Sequence, residues 1–213
     1  KHGMISVIIH EVGHNFFPMI INSDERQWTW MDEGLNTFVQ FLTEKEFDRD
    51  YPSRRGSARN IREYMGGDKT RISPIMTNSE SIYQFGNNAY GKPATALNIL
   101  RETVMGRDLF DHAFKEYSRR WAFKHPSPAD FFRTMEDASG VDLDWFWRGW
   151  FYTTDHVDIA MEDIKWMQMD SQNPDVEAAF REASDARQPE DITQLRNANG
   201  GVPQSYLEAD PTL

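Results

Sequence analysis

The sequence predicts a mainly α-helical lobe, and three observations predict it. Apolar residues recur at three- and four-residue spacing in successive windows, the stripe of helices that bury one face. Proline and glycine fall where helices begin and stop, with Pro93 and Pro128 in first turns and Gly66, Gly106 and Gly140 just past last turns. Only one short stretch, Val157, Ile159 and Met161 alternating with Asp158, Ala160 and Glu162, carries the two-residue period of a strand.

Taken in order, a first helix is expected from about Met4 to Phe17, with Ile5, Ile8, Ile9, Val12 and Phe16 as the stripe that packs on a core. Pro18 ends or kinks it, because its ring clashes with the carbonyl four residues back, that of His14. Asn22 to Glu25 reads as a turn. A second helix from about Asp32 carries Glu33, Asn36, Thr37, Gln40 and Glu44 on one side, with Leu35, Phe38, Val39, Leu42 and Phe47 on the rest. Ser53 to Tyr64 is polar and Arg-rich and is expected to be an exposed helix with solvated charges, stopped at Gly66-Gly67.

Further on, Pro93 opens a run through Leu97, Leu100 and Val104, and the next helix, from about Asp108 to Phe123, has Leu109, Phe110, Ala113, Phe114, Tyr117 and Trp121 as its buried stripe. Another starts at Ser127-Pro128-Ala129-Asp130, and Asp142 opens a last aromatic helix through Trp145, Phe146, Trp147, Trp150 and Phe151. Residues 1–155 are therefore expected to form the helical lobe. Residues 156–213 are expected to hold a short strand ending near Trp166 and, from Ser171, a polar linker-like tail with too few large apolar residues to bury much.

Composition narrows the partners. In 213 residues, 39% hydrophobic content and seven Trp suffice for one good core. The net charge of −11 removes the basic, counterion-releasing surface that nucleic acid or an anionic membrane would need. The absence of Cys excludes disulfides and thiolate metal sites, and no stretch approaches the roughly 18 apolar residues of a membrane span.

The chemistry lies near the start of the chain. His10, Glu11 and His14 form H-E-x-x-H, the zinc-protease motif, and Glu33 follows after eighteen residues. On a helix, residues four apart differ by about 40° in direction and about 6 Å in height, so both imidazoles face one ion while Glu11 leans toward the same space. Two histidines and a carboxylate leave a coordination position open for water, as catalytic rather than structural zinc requires. Gly13, a helix-weakening residue between Val12 and His14, is tolerable where something approaches the backbone closely. A helix carrying two ligands normally sits deep in its domain, so a chain opening nine residues before His10 is expected to be a piece of a longer protein.

With Glu33 inside Trp30-Met31-Asp32-Glu33-Gly34-Leu35-Asn36-Thr37-Phe38, the pattern resembles the M1 family of zinc metallopeptidases, the aminopeptidase N and leukotriene A4 hydrolase group. Ala89-Tyr90-Gly91-Lys92-Pro93-Ala94 looks like that family's Tyr-x-Lys-Gly-Ala segment, and Asp130 through Tyr152 is similar to the end of its helical lobe. The resemblance implies a thermolysin-like (gluzincin) catalytic domain holding one Zn2+, with His10, His14 and Glu33 as ligands. It implies Glu11 as general base, Tyr90 as donor to the oxyanion, and peptides as substrates. Asp32 and Asn36 either orient a ligand or serve as helix surface and caps, and Tyr83 reads as packing rather than a second pocket tyrosine. His2, His112, His125 and His156 have no ligand-like spacing.

The chain departs from the family at Asn15, at Phe16-Phe17-Pro18-Met19 and at Pro93, which bears on subsite shape rather than on the metal. The family's Gly-x-Met-Glu-Asn strand, which binds the substrate's free amino group, is not among these residues. An endopeptidase of the thermolysin type shares the ligand set, and a non-catalytic module of the same fold remains a third reading.

Overall fold

The computed structural model describes residues 1–157, 170–185, 191–199, 205–210 and 212. Among them no strand occurs, and the chain is mainly helical. The expected strand beyond Val157 lies outside the described residues.

The described chain falls into two units, one comprising Lys1–His156 with Val202–Leu213 and the other Val157–Gly201. The first unit holds α1 (His2–Gly13), α2 (Leu35–Phe47), a short α3 (Arg62–Gly66), α4 (Lys92–Ile99), α5 (Arg107–Trp121), α6 (Pro128–Ser139) and α7 (Asp144–Trp147). The second holds α8 (Pro174–Asp185) and α9 (Ile192–Asn199), while α10 (Tyr206–Ala209) belongs to the first. These last three stand where composition suggested a linker. Acidic residues in the first turn of α8 complement the helix dipole, and Val176, Phe180, Ile192 and Leu195 stay largely exposed, so little burial accompanies the local helicity.

Aromatic packing makes the core of the first unit. Trp30, fully buried, lies 4.8 Å centroid to centroid from Phe151, 5.7 Å from Phe131 and 5.9 Å from Phe132, onto which it stacks. Phe38 on α2 meets Phe110 and Phe114 on α5 edge-on, and Phe110, Ala113 and Tyr117 are the buried face of α5, as its sequence spacing predicts. Ser127 and Asp130 form the capping box that starts α6.

Two elements differ from expectation in ways that shape the site. The α1 stripe does not pack on a core: no α1 residue is buried, and Ile8, Val12 and Phe16 are 53%, 57% and 54% exposed. The helix is held to the lobe on its polar side instead. Ser6 Oγ lies 2.9 Å from Tyr51 Oη, and Tyr51 Oη donates to the His2 carbonyl at 2.5 Å. The first helix also ends earlier than Phe17. A wider π-helical turn, Asn15–Ile20, follows α1 and breaks at Phe17 (φ −123°, ψ 104°), because Pro18 disfavours helical geometry in the residue before it.

The Arg-rich segment forms a continuous helix only in part, as a 3-10 turn Ala58–Ile61 leading into α3, with Ser53–Ser57 irregular. Two further π-helical turns, Trp30–Gly34 and Gly86–Gly91, lead directly into α2 and α4.

Because Trp30 anchors the turn that carries Glu33, Trp30→Ala is expected to cost about 3–5 kcal/mol in urea unfolding. Phe123→Ala, at a ring 84% exposed, is expected to leave the midpoint nearly unchanged.

Candidate metal centre and hydrolytic cleft

α1 and α2 cross closely enough for backbone and side chain to interlock. Asn36 is buried and its Nδ2 donates to the His10 carbonyl at 2.8 Å. A Cβ on Gly13 would lie 2.0 Å from Asn36 Oδ1, so only glycine lets the asparagine lie flat against α1. Asn36 is thus neither helix surface nor cap; it clamps the helix that bears the histidines.

That crossing brings His10, His14 and Glu33 together. His10 Nε2 lies 3.1 Å and His14 Nε2 3.5 Å from Glu33 Oε2. The two imidazoles stand nearly perpendicular with centroids 4.7 Å apart. Each histidine is oriented through its other nitrogen. Gln40 Nε2 donates to Glu44 Oε1 at 2.8 Å, which turns Gln40 Oε1 toward His10, and His10 Nδ1–H donates to it at 2.9 Å. His14 Nδ1–H donates to the Phe17 carbonyl at 2.8 Å, an acceptor set in place by the break at Phe17. Nε2 is therefore the atom each ring turns toward Glu33: the protonated His10 imidazole donates to the carboxylate through it, and the neutral ring offers the lone pair that metal ligation needs.

This donor set fits zinc. A tetrahedral ion with ligand bonds of about 2.0–2.1 Å needs donor atoms about 3.4 Å apart, and the spacings of 3.1 and 3.5 Å bracket that value. The three side chains offer ligand atoms all within 4.8 Å of one another. Two imidazole nitrogens and one carboxylate oxygen are the chemistry of an open catalytic site rather than a closed structural one.

The acidic surroundings favour a cation. Asp32 is buried, with Oδ1 3.1 Å from His14 Nδ1 yet without a hydrogen bond, since that proton goes to Phe17. Burial, then the neighbouring Glu33 charge and Glu25, push its carboxyl up to about 8. Burial also works to raise Glu33, but hydrogen bonds from His10 and Tyr90 outweigh it and hold Glu33 below its ordinary range.

Tyr90 Oη donates to Glu33 Oε1 at 2.6 Å, and its ring lies roughly parallel to His10 at 5.9 Å. Burial and the bond to Glu33 push the phenol pKa well up. Glu11 is exposed and lines, with His10, Tyr90, Gln40 and Glu44, a cleft of about 520 Å3 along α1 and α2. A larger hollow of about 830 Å3 lies by α6 and α7 and touches none of these residues.

The other sequence candidates disperse. Lys92 does not line the cleft; it is buried with Nζ lacking a hydrogen-bond partner, and burial brings it down to about 8. Tyr83 is 57% exposed and outside the cleft. His112, His125 and His156 are exposed surface residues, while His2 packs edge-on to Tyr51 at the cleft end.

Sequence reasoning did not assign Gln40 or Arg55. Gln40 had a signal, since it stands seven residues after Glu33 on one α2 face, four before Glu44. Arg54 and Arg55, read as solvated surface, line the cleft wall. The Arg55 guanidinium sits 4.4 Å from the Tyr90 ring centroid, because Gly56 (φ +96°) turns the chain tightly against the Phe41 ring.

A helical lobe with two H-E-x-x-H histidines and a downstream glutamate on adjacent helices defines a metallopeptidase-type centre. Residues 1–150 match the peptidase family M1 domain, and the chain belongs to that family. It is 24% identical to glutamyl aminopeptidase of Sus scrofa over 166 residues, 75% of this chain and 18% of that protein. It is 23% identical to probable aminopeptidase 1 of Sulfurisphaera tokodaii over 181 residues, 79% of this chain and 22% of the other. To alanine/arginine aminopeptidase of Saccharomyces cerevisiae it is 24% identical over 143 residues, 64% of this chain and 17% of that one. The chain thus spans about a fifth of the length of the relatives it matches.

Gln40→Leu is expected to weaken zinc binding about 10- to 100-fold by releasing His10, and Gly13→Ala to weaken it by displacing Asn36. Competition against a metal-chelating dye measures both.

In metal-stripped protein the hydrogen bond to Glu33 raises the His10 pKa above its ordinary 6.5, while Glu33 is held below 4.5. The His10 contribution to stability is complete below pH 6.5 and is lost as pH rises through its raised native value. The Glu33 contribution is complete above pH 4.5 and is lost as pH falls through its lowered native value. The pair therefore stabilises most between those limits. Urea unfolding at about pH 5.5 and about pH 8.5 should show the stability gap between wild type and His10→Asn shrinking at the higher pH.

Proposed function

We propose that this chain is the zinc-binding helical lobe of an aminopeptidase and supplies its peptide-hydrolysing centre. The convergence of His10 Nε2, His14 Nε2 and Glu33 Oε2 beside Glu11 and Tyr90 carries this reading. The relatives' names, aminopeptidases in each case, support it. Residues 1–155 form the lobe, and of the segment 156–213 that was expected to lead out of it, α10 belongs to the lobe's own unit. Recognition of the substrate's free amino group falls to other parts of a longer protein.

His10, His14 and Glu33 would hold one Zn2+, which when bound supplies Lewis acidity to the scissile carbonyl and lowers the pKa of a water toward about 7. Glu11 follows His10 directly on α1 and faces the same cleft, so its carboxylate accepts the attacking water's proton and returns it to the leaving amine. Tyr90 keeps its proton through the working pH range, because burial and Glu33 hold the phenol pKa up. It is therefore a hydrogen-bond donor throughout, and its phenol turns from Glu33 to the oxyanion that forms on the substrate. Gln40 and the Phe17 carbonyl keep both imidazoles aimed while this happens.

The full-length, zinc-loaded protein assayed on free and N-blocked peptides tests this. Glu11→Gln is expected to lower kcat about 10²- to 10⁴-fold with zinc retained. Tyr90→Phe is expected to lower it about 10²- to 10³-fold, with a much smaller change in KM. Equal cleavage of blocked peptides would replace the aminopeptidase by an endopeptidase, and the absence of Glu11-dependent cleavage of either substrate would end the hydrolytic reading.

A further inference from the structure

The cleft wall carries two arginines, Arg54 and Arg55, beside the two carboxylates Glu11 and Glu44. With 34 Asp and Glu against 23 Lys and Arg, carboxylates are abundant, and other arginines find them: Arg101 pairs with Asp111 and Glu102, and Arg107 with Glu102. Arg54 and Arg55 do not. Among the described residues neither forms an ion pair or a hydrogen bond, although both line the cleft that His10, Glu11 and Tyr90 share. Both also line the adjoining hollow of about 440 Å3 with Asn60, Gln84 and Asn87, so they stand where one space opens into the other.

Arg55 is positioned rather than loose. Its guanidinium carbon lies over the Tyr90 ring at 4.4 Å, a cation–π contact, and no described carboxylate or carbonyl takes up its N–H groups. A guanidinium carries a fork of N–H groups that matches the two oxygens of a carboxylate, which a lysine ammonium does not. The ring beneath it belongs to the residue whose hydroxyl reaches Glu33, so this fork lies next to the reaction centre.

We propose that Arg54 and Arg55 form an anion subsite that takes a carboxylate of the bound peptide and makes acidic peptides the preferred substrate class. The proposal rests on the peptidase reading above. Two carboxylates qualify, an acidic side chain or the peptide's own C-terminus, and they share the same recognition chemistry.

The test uses full-length, zinc-loaded protein and short peptides that differ only in charge, Glu against its isostere Gln at successive positions, and free C-terminal acid against amide. Charge-assisted hydrogen bonds of this kind predict that kcat/KM favours the carboxylate member of one pair by about 10- to 100-fold, and that added salt reduces the ratio. In an Arg54→Gln/Arg55→Gln double variant the ratio should fall toward one, whatever the absolute rate. In Arg55→Lys, which keeps the charge and loses the fork, it should take an intermediate value. The pair whose ratio collapses identifies the carboxylate. A wild-type ratio near one for every pair, or a ratio unchanged in the double variant, would overturn the subsite.

Equilibrium binding of the same peptides to Glu11→Gln protein separates this proposal from the one beneath it. Charge-selective binding that is lost in the arginine variants, without any Glu11-dependent hydrolysis in the parent, would sink the peptidase reading and leave the anion subsite standing.

Discussion

The site depends on how closely α1 can lie against α2. α1 with its C-cap contributes two imidazoles and Glu11, the turn leading into α2 contributes the Glu33 carboxylate, and these side chains meet because Gly13 has no side chain where Asn36 must pass. Asn36 then uses the space it is given, fixing the His10 carbonyl and with it the height of α1 along α2. A longer side chain at either position would separate the helices by more than the few tenths of an ångström that ligand geometry tolerates.

The two sides of the site differ in how they are held. Glu33 and Tyr90 sit on π-helical turns whose neighbours Trp30, Met31, Ala89 and Gly91 are buried, so the aromatic core dictates their positions. His10, Glu11 and His14 sit on a helix with no buried residue, tied down by polar contacts at Ser6, His10 and His2. Net contributions of such bonds are about 1 kcal/mol each, so α1 is the part whose position responds most to what it ligates. A cation bound across both sides would add coordination bonds between a rigid wall and a weakly held one, which links occupancy of the centre to the order of α1.

The pairing of His10 with His14 was legible in the sequence because its spacing is set by helix geometry, which is local, whereas Glu33 joins them through the crossing of two elements. Capping at Ser127 and the stop at Gly140 were legible for the same reason. What the sequence concealed was tertiary. The apolar residues Ile8, Val12 and Phe16 carry a helical period, and period alone does not say what covers a face; here that face is exposed. Arg54 and Arg55 looked like solvated charge because composition carries no information about which turn aims them, and Gly56 decides that through a backbone angle. Gln40 was placed on the right face of α2, but its role emerges only once Glu44 on one side and His10 on the other fix its amide.

That orientation has an electronic consequence. His10 is held by a neutral amide and His14 by a backbone carbonyl, and neither acceptor carries the full charge of a carboxylate. A carboxylate in the same place would draw the Nδ1 proton more strongly and make the imidazole a more basic, more electron-donating ligand. Neutral orienters fix direction while leaving more positive charge on whatever the histidines ligate, which is what polarising a carbonyl requires. Asp32 is close to His14, and in the metal-free centre burial and the adjacent Glu33 push it toward its protonated form. Two unpaired arginines stand on the cleft wall of an acidic chain where two carboxylates are already engaged, Glu33 by His10 and Tyr90 and Glu44 by Gln40, and where Glu11 is the one left without a hydrogen bond among the described residues of the centre.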